Sequence, residues 1–301
     1  MSRTGSEHMS DDVSYRSIWT TLKEVPFTQA WVDVDGVSTR YVEAGPRDAP
    51  AVVMVHGTAS SWETFCANIG PLSQHFRVVA YDVLGSGFTD KPDRPYEIFD
   101  YSDHLGGLMT ALGIERASLV GVSLGAWISA RFALAQPDRV EKMIWLSAAG
   151  LSQGEEADWA LAQKIQQQRS DAAAAPTWDA ITAVIRELVF DEKNVLPDIV
   201  AVRQAVYATP EMKQGMKNIF GFTASRELVA KNQLSVDEGR AITTPTLLVA
   251  APDTKDAFLH ITHRLAEILP NNTVVDIKES AHWPHFEQPD EFNELALNFL
   301  H

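Results

Sequence analysis

Short runs of apolar, mostly β-branched residues recur along the chain and alternate with patterns of helical spacing. A continuous apolar run of this length is typical of a strand that is buried on both faces of a sheet. Strands of this kind that alternate with helices indicate a parallel sheet covered by helices on both sides. The pattern therefore predicts an α/β fold, with strands near Ala51, Arg77, Ala117, Lys142, Thr246 and Thr273.

A different pattern precedes these runs. From Ala30 to Gly45 apolar and polar residues alternate around Asp35 and Gly36. An Asp-Gly pair flanked by alternating residues is a strong signal for a β-hairpin. We therefore expect two antiparallel strands here and interpret residues 1–29 as an N-terminal tail or extension. Its first residues lack the apolar segment of a secretion signal.

The alternation of strands and helices stops between Leu151 and Asp237, where helical patterns follow one another without a strand. Ligands of open α/β sheets bind at the carboxyl ends of the strands. An all-helical insertion between two strands is therefore interpreted as a lid over that edge. The predicted division is a core of residues 30–150 and 238–301 and a lid of residues 151–237.

Composition restricts the partners and the compartment. The 301 residues carry 25 basic and 40 acidic side chains, a formal net charge of −15, and 45% are hydrophobic. This apolar content argues against disorder, and the negative charge argues against nucleic acid as a partner. Cys66 is the only cysteine, so it forms no internal disulfide. We expect a cytoplasmic protein that acts on a small molecule, does not bind membranes, and is either a monomer or a homodimer.

The strongest chemical signal is the segment Gly121-Val122-Ser123-Leu124-Gly125, which lies between a predicted strand and a predicted helix. In this context G-x-S-x-G forms a nucleophile elbow, a sharp turn that leaves no room for side chains two residues before and after the serine. We predict that Ser123 is a nucleophile. The amide of Leu124, at a helix N-terminus, would face developing negative charge.

With this motif the chain resembles the α/β-hydrolase fold family from about residue 30 to residue 301. The resemblance implies an eight-stranded, mostly parallel sheet with an inserted helical cap, and no cofactor or metal. A second match is His56-Gly57-Thr58-Ala59, after the strand AVVMV. Family members have an HG loop there, which implies that the backbone of Thr58 or Ala59 completes the oxyanion hole. His56 would be structural.

A third match is the loop AHWPHFE, which begins at Ala281 and follows the last predicted strand. Family members place the catalytic histidine here, commonly after a glycine that Ala281 replaces. The resemblance makes His282 the general base for Ser123, which is a poor nucleophile without one. His285 has the spacing of a metal ligand relative to His282, but no third ligand is evident and we predict no metal.

The third triad residue is ambiguous. Family members show G-x-x-D after the strand TLLVA, and direct alignment places Thr254 at the acid position. Threonine cannot stabilise an imidazolium as a carboxylate does, so one of two neighbouring aspartates is required. We predict Asp253, with Asp256 as the alternative.

A further pair of glycines follows the predicted strand near Arg77. Gly85 and Gly87 form G-x-G, but the dinucleotide-binding fingerprint is incomplete and its context is wrong. We interpret this segment as a tight turn beside the active site, and no nucleotide cofactor is predicted.

The residue at the elbow also restricts the type of hydrolase. A serine at the elbow excludes the branches that use aspartate there, so we expect acyl chemistry on an ester or a lactone. Aromatic residues of the lid would form an apolar acyl pocket: Trp159, Phe190, Phe220 and Phe222.

Two other functions stay open. Trp283 after the histidine, and Arg203 in the lid, resemble the meta-cleavage-product hydrolases, in which an arginine binds the substrate carboxylate. Val122 stands where those enzymes usually have asparagine, so this carbon–carbon hydrolysis is placed second. The third hypothesis is a catalytically weak protein that binds a small apolar ligand under its lid.

Overall fold

Eight strands form one continuous sheet in the computed structural model, which describes residues 17–254 and 256–301. The spatial order is β1-β2-β4-β3-β5-β6-β7-β8. The strands are β1 (Phe27–Val34), β2 (Val37–Ala44), β3 (Ala51–Val55), β4 (Arg77–Tyr81), β5 (Ala117–Val122), β6 (Val140–Leu146), β7 (Thr246–Ala250) and β8 (Asn272–Asp276).

The sheet is antiparallel at one end and parallel elsewhere. β1 and β2 form the predicted hairpin, and Asp35 and Gly36 at its turn have φ angles of 50° and 84°. Positive φ at both central residues is the geometry of the tight turn that matches strand twist. β2 also pairs antiparallel with β4, whereas all pairings among β3 to β8 are parallel. The predicted mostly parallel α/β fold is confirmed.

Helices of the core pack in two separate groups. α3 packs against α4, whereas α2 packs against α1, α12 and α13. All residues of strands β4, β5 and β7 are buried, which explains their unbroken apolar runs. The core helices are α1 (Ile18–Leu22), α2 (Cys66–Ser73), α3 (Ile98–Ala111), α4 (Leu124–Ala135), α11 (Phe258–Ile268), α12 (Pro284–Glu287) and α13 (Pro289–Leu300).

Part of the predicted N-terminal tail belongs to the fold, so this boundary is corrected. Ile18 and Leu22 of α1 are buried, and the backbone N–H of Ile18 donates to Asp198 at 2.9 Å. β1 begins at Phe27 rather than at residue 30. Short amphipathic segments of this kind give too little periodicity to be recognised in the sequence. Residues 1–16 of the predicted tail lie outside the described residues.

A helical insertion lies between β6 and β7, but its last helix runs to Ala241, past the predicted boundary at residue 237. The segments that enter and leave the insertion lie side by side. Leu151 and Leu234 form a parallel bridge, and the Leu234 N–H donates to the Gly150 carbonyl at 2.6 Å. We call its helices the cap: α5 (Glu155–Ala174), α6 (Trp178–Arg186), α7 (Pro197–Tyr207), α8 (Met212–Ile219), α9 (Arg226–Asn232) and α10 (Val236–Ala241). None of the helices in the described residues has the length and apolarity needed to cross a bilayer.

Candidate active site

A cavity of about 480 Å³ lies between the cap and the carboxyl ends of β3, β5, β7 and β8. One side of the cavity is formed by residues of the core and the other by residues of the cap. The core wall consists of Gly57, Thr58, Ser60, Ser123, Asp253, Asp256, Phe258, Ala281, His282 and Trp283. The cap wall consists of Leu161, Lys164, Ile165, Gln168, Arg169, Arg186, Glu187, Leu188, Val189, Phe190 and Arg203.

Ser123 stands on a strained turn between β5 and α4. Its φ and ψ are 56° and −114°, a conformation that residues with a Cβ rarely adopt. A Cβ on Gly125 would lie 1.9 Å from the Val55 carbonyl oxygen, and one on Gly121 would lie 2.5 Å from the Ala126 nitrogen. Only glycine fits at these two positions, so the motif has the geometry of a nucleophile elbow.

The elbow is held by backbone hydrogen bonds and opens onto the cavity. The Ser123 N–H donates to the Leu146 carbonyl at 2.9 Å, and the Ser123 carbonyl accepts from Ala126 at 3.0 Å. Because α4 begins at Leu124, its first N–H groups have no partner within the helix. The predicted contribution of the Leu124 amide to an oxyanion hole fits this placement.

His282 is fixed in the same cavity by both its backbone and its ring. Its N–H donates to the Leu188 carbonyl of the cap at 3.1 Å, and its ring packs edge-on against Phe258. Nδ1 lies 2.8 Å from Oδ2 of Asp256. With Nδ1 engaged, Nε2 is the ring nitrogen left to exchange a proton with Ser123.

The prediction that Asp253 is the partner of His282 is wrong. The Asp253 carboxylate instead accepts the backbone N–H of Glu279 at 2.8 Å, in a turn where Glu279 has a φ of 50°. The loop after β7 is long enough to carry the next aspartate to the ring, so the alternative, Asp256, occupies the acid position. A length change in a loop leaves no periodic signal from which this could be decided.

Asp256 is kept ionised by the groups around it. Burial opposes its charge, but hydrogen bonds from His282, the Phe258 N–H and the Thr254 hydroxyl outweigh this and lower the pKa below the ordinary value. The Phe258 N–H donates to Oδ1 at 3.0 Å. Asp256 is therefore available as the carboxylate that orients His282.

The HG loop forms the floor beside Ser123. His56 is fully buried, with Nδ1 2.7 Å from the Gly57 carbonyl and Nε2 accepting the Val83 N–H at 3.1 Å. Burial lowers the pKa of His56 to about 4, so it is neutral and structural. Thr58 lines the cavity, and Ala59 has a φ of 52°. Within this loop it is Gly57 that packs against the elbow, since a Cβ there would lie 3.3 Å from the Ser123 Cβ. Ala59 is not among the described residues that line the cavity, and the oxyanion role of Thr58 or Ala59 stays a prediction.

Arg203 of the cap reaches the core wall, as its predicted role in substrate binding requires. Its guanidinium is buried, donates from Nη2 to the Ser60 hydroxyl at 2.9 Å, and lies 5.5 Å from the centre of the Trp283 ring. Nη1 is also buried and has no hydrogen-bond partner among the described residues. Burial lowers the pKa of Arg203 to about 10, so it stays charged at neutral pH.

Glu287 joins the catalytic loop to the cap. Its buried carboxylate accepts N–H groups of Ala281 at 2.8 Å and of Phe190 at 2.7 Å, and the side-chain amide of Asn194 at 3.1 Å. Burial raises the pKa of Glu287, against the effect of these donors. These bonds between the loop and the cap have no sequence signature.

The family model described as the alpha/beta hydrolase fold matches residues 50–289. The chain belongs to this family.

Two curated relatives of this hydrolase come from Comamonas testosteroni. The "2-hydroxy-6-oxo-6-phenylhexa-2,4-dienoate hydrolase" is 30% identical over 277 residues, 89% of this chain and 93% of the relative. The "2-hydroxy-6-oxononadienedioate/2-hydroxy-6-oxononatrienedioate hydrolase" is 27% identical and covers 84% and 88%. A solved structure, Est816, is described as an N-acyl homoserine lactone degrading enzyme. It has 26% identity and a TM-score of 0.71, and covers 90% of this chain and 100% of that one.

Most of the aromatic residues predicted for the pocket of this hydrolase lie elsewhere. Phe190 and Trp283 line the cavity, but Trp159, Phe220 and Phe222 are not among the described residues that do. Phe222 packs edge-on against Trp127 and beside Phe220. The helical pattern locates apolar faces, but it does not distinguish packing between cap and core from the lining of a cavity.

The prediction that Val122 lines the cavity of the hydrolase is also wrong. It is buried in the last position of β5 and is not among the described lining residues. The apolar part of the wall comes instead from Leu161, Ile165 and Val189 of the cap and from Phe258 of the core.

Proposed function

We propose that this hydrolase cleaves a carbon–carbon bond in 2-hydroxy-6-oxo-dienoates. The observation that carries the proposal is the buried guanidinium of Arg203, which shares the cavity with Ser123 and His282. Its Nη1 has no hydrogen-bond partner in the part of the chain that the structure describes. A buried charge without a partner is costly unless a ligand neutralises it. A simple ester has no carboxylate to do so, whereas a dienoate does.

Arg203 supplies an anchor for the C1 carboxylate of the substrate. Arginine binds carboxylates through parallel N–H groups. The Arg203 guanidinium lies over the Trp283 ring and donates to the Ser60 hydroxyl, and these two contacts hold it at the core wall. With C1 fixed, the C6 carbonyl is the electrophile for Ser123. The apolar residues around Phe258 would then surround the part of the substrate beyond C6.

The reaction needs a form of the substrate in which C5 can leave with an electron pair. Transfer of the 2-hydroxyl proton to C5 gives a ketone at C2 and a double bond between C3 and C4. Ser123 Oγ then attacks C6 and loses its proton to His282 Nε2, and the oxyanion at C6 is stabilised by the amides of Leu124 and of Thr58 or Ala59.

Collapse of this intermediate breaks the bond between C5 and C6. The electron pair passes through C4 and C3 to the C2 oxygen, and the resulting dienolate takes a proton from His282. The products of this step are 2-hydroxypenta-2,4-dienoate and an acyl group on Ser123. Water activated by His282 then releases the acid and restores the enzyme.

The names of the two Comamonas relatives support carbon–carbon hydrolysis as the first candidate. The residues alone had placed ester or lactone hydrolysis first. An ester or lactone remains the second candidate. It is favoured by the likeness to Est816, which is described as degrading N-acyl homoserine lactones. The hypothesis of a catalytically weak binding protein was motivated by the irregular loop at the acid position. Because this loop brings Asp256 to His282, it no longer supports that hypothesis.

The test compares 2-hydroxy-6-oxo-6-phenylhexa-2,4-dienoate with p-nitrophenyl butyrate, by loss of dienolate absorbance and release of nitrophenolate. We expect kcat/KM to be higher for the dienoate and turnover of both to require Ser123. Arg203→Met should lower kcat/KM for the dienoate about 10- to 100-fold, chiefly through KM, because charge-assisted hydrogen bonds are lost.

Arg226→Met, which removes a cap arginine paired with Glu156 at 2.6 Å, is the charge-matched control and should behave as wild type. Turnover of the ester alone would contradict the proposal, and so would an Arg203→Met enzyme that cleaves the dienoate as well as wild type. The cytoplasmic location and the choice between monomer and homodimer stay predictions.

A further inference from the structure

A second buried arginine lines the cavity and has no role in the mechanism above. Arg169 lies in the last part of α5, is 8% exposed, and belongs to the cap wall. Its Nε and Nη1 are buried and have no hydrogen-bond partner among the described residues. Buried N–H groups of a charged side chain are rarely left unpaired, so this arginine points to a ligand.

The acidic residues that line the cavity are engaged elsewhere. Asp256 binds the His282 ring, and Asp253 accepts the Glu279 N–H. Glu187 accepts a hydrogen bond from Gln168 at 2.8 Å. These carboxylates have other partners, so the buried charge of Arg169 is available to an anionic group of a ligand.

Two separate guanidinium groups therefore face one cavity. Arg169 lies in α5 and Arg203 in α7, and the charge of Arg169 lowers the pKa of Arg203, after the larger effect of burial. One carboxylate neutralises only one of these two charges. A ligand with two anionic groups would give each of these buried guanidinium groups a partner.

We infer that the preferred substrate is a dicarboxylate, with one carboxylate on Arg203 and the second on Arg169. This inference rests on the proposed function, in which Arg203 binds C1. The second carboxylate must then be carried by the acyl substituent beyond C6. Lys164 of the same helix also lines the cavity and adds positive charge on this side.

The kinetic test uses two substrates that differ only at C9: 2-hydroxy-6-oxonona-2,4-dienedioate and 2-hydroxy-6-oxonona-2,4-dienoate. We expect wild type to prefer the dicarboxylate about 10- to 100-fold in kcat/KM, the usual effect of a charge-assisted hydrogen bond. Arg169→Met should abolish this preference by weakening only the dicarboxylate. Arg203→Met should weaken both substrates, and Arg226→Met should leave the preference unchanged.

A binding test separates this inference from the proposed function. Calorimetry compares nonanedioate with nonanoate on the same variants, without any turnover. Tighter binding of nonanedioate that disappears in Arg169→Met supports the inference even if no dienoate is cleaved. Equal losses for both ligands in Arg169→Met, or tighter binding of nonanoate by wild type, would overturn it even if the dienoate is a substrate.

Discussion

The two walls of the cavity differ in how complete they are without a ligand. On the core wall, His282 and Asp256 bind each other, and backbone hydrogen bonds hold Ser123 in its strained conformation. On the cap wall, Arg169 and Arg203 each keep buried N–H groups that have no partner within residues 17–254 and 256–301. The core wall is thus organised for a reaction in advance, whereas the cap wall needs a ligand to satisfy it.

This difference indicates that the two walls have different roles in the reaction and in substrate binding. In the proposed function, the preorganised nucleophile, base and orienting acid of the core wall determine the reaction class and are independent of substrate identity. Unpaired charges on an inserted helical segment determine which substrate is bound. Changes in the core wall should therefore alter turnover of every substrate, whereas changes in the cap wall should alter the choice among substrates.

The largest expected effect comes from the acid of the core wall. Asp256→Asn should lower kcat by about 10⁴, the effect of such a replacement in a serine protease triad, because the amide no longer holds the correct tautomer of His282. Steady-state kinetics on any accepted substrate measures it. Asp253→Asn is the matched control and should retain most of the activity. An equal loss in both variants would contradict the assignment of Asp256.

A steric change at the elbow tests whether the core wall depends on close packing. Gly125→Ala places a methyl group against the Val55 carbonyl and should destabilise the protein by about 3 kcal/mol or more, because backbone must move. Gly113→Ala, with a φ of +66° but no atom within 4 Å of the added Cβ, should cost only about 1–2 kcal/mol. Urea denaturation measures both. Similar losses would mean that the elbow is not tightly packed.

A smaller effect concerns histidines buried in the core. Burial lowers the pKa of His56 and His104 to about 4 and that of His285 to about 3. In the unfolded chain these histidines bind protons near pH 6.5. The stability of the folded state is therefore fully present above that pH and is lost as the pH falls towards 4. Each histidine should reduce the free energy of unfolding by about 1 kcal/mol per pH unit in this range.

His104→Gln tests this linkage away from the cavity. His104 contacts the Thr39 hydroxyl at 2.8 Å through Nε2, a position that a glutamine amide can reach. The variant should show a shallower loss of thermal stability between pH 6.5 and 4, with unchanged activity at pH 7. An unchanged slope would mean that His104 is not buried in its neutral form.

The features predicted from the sequence are those with a local cause. The Asp35-Gly36 turn, the elbow around Ser123 and the buried parallel strands each depend on a few neighbouring residues. Backbone conformation and burial constrain these residue types directly, so the pattern carries the information. The fold and the positions of Ser123 and His282 could therefore be predicted.

The remaining features depend on contacts between distant segments. The choice between Asp253 and Asp256 depends on the path of a loop, and the position of Arg169 depends on how α5 packs on the core. In a sequence, Arg169 is one charged residue in a polar helix. Its burial and its unpaired N–H groups exist only in the folded molecule.

The most direct test of this division between the walls is the ratio of kcat/KM for the phenyl dienoate to that for p-nitrophenyl butyrate, in wild type, Asp256→Asn and Arg203→Met. Asp256→Asn should lower both values and leave their ratio within a few-fold of the wild-type ratio. Arg203→Met should lower the ratio about 10- to 100-fold while ester turnover is retained. A ratio that changes in Asp256→Asn, or stays constant in Arg203→Met, would contradict the account.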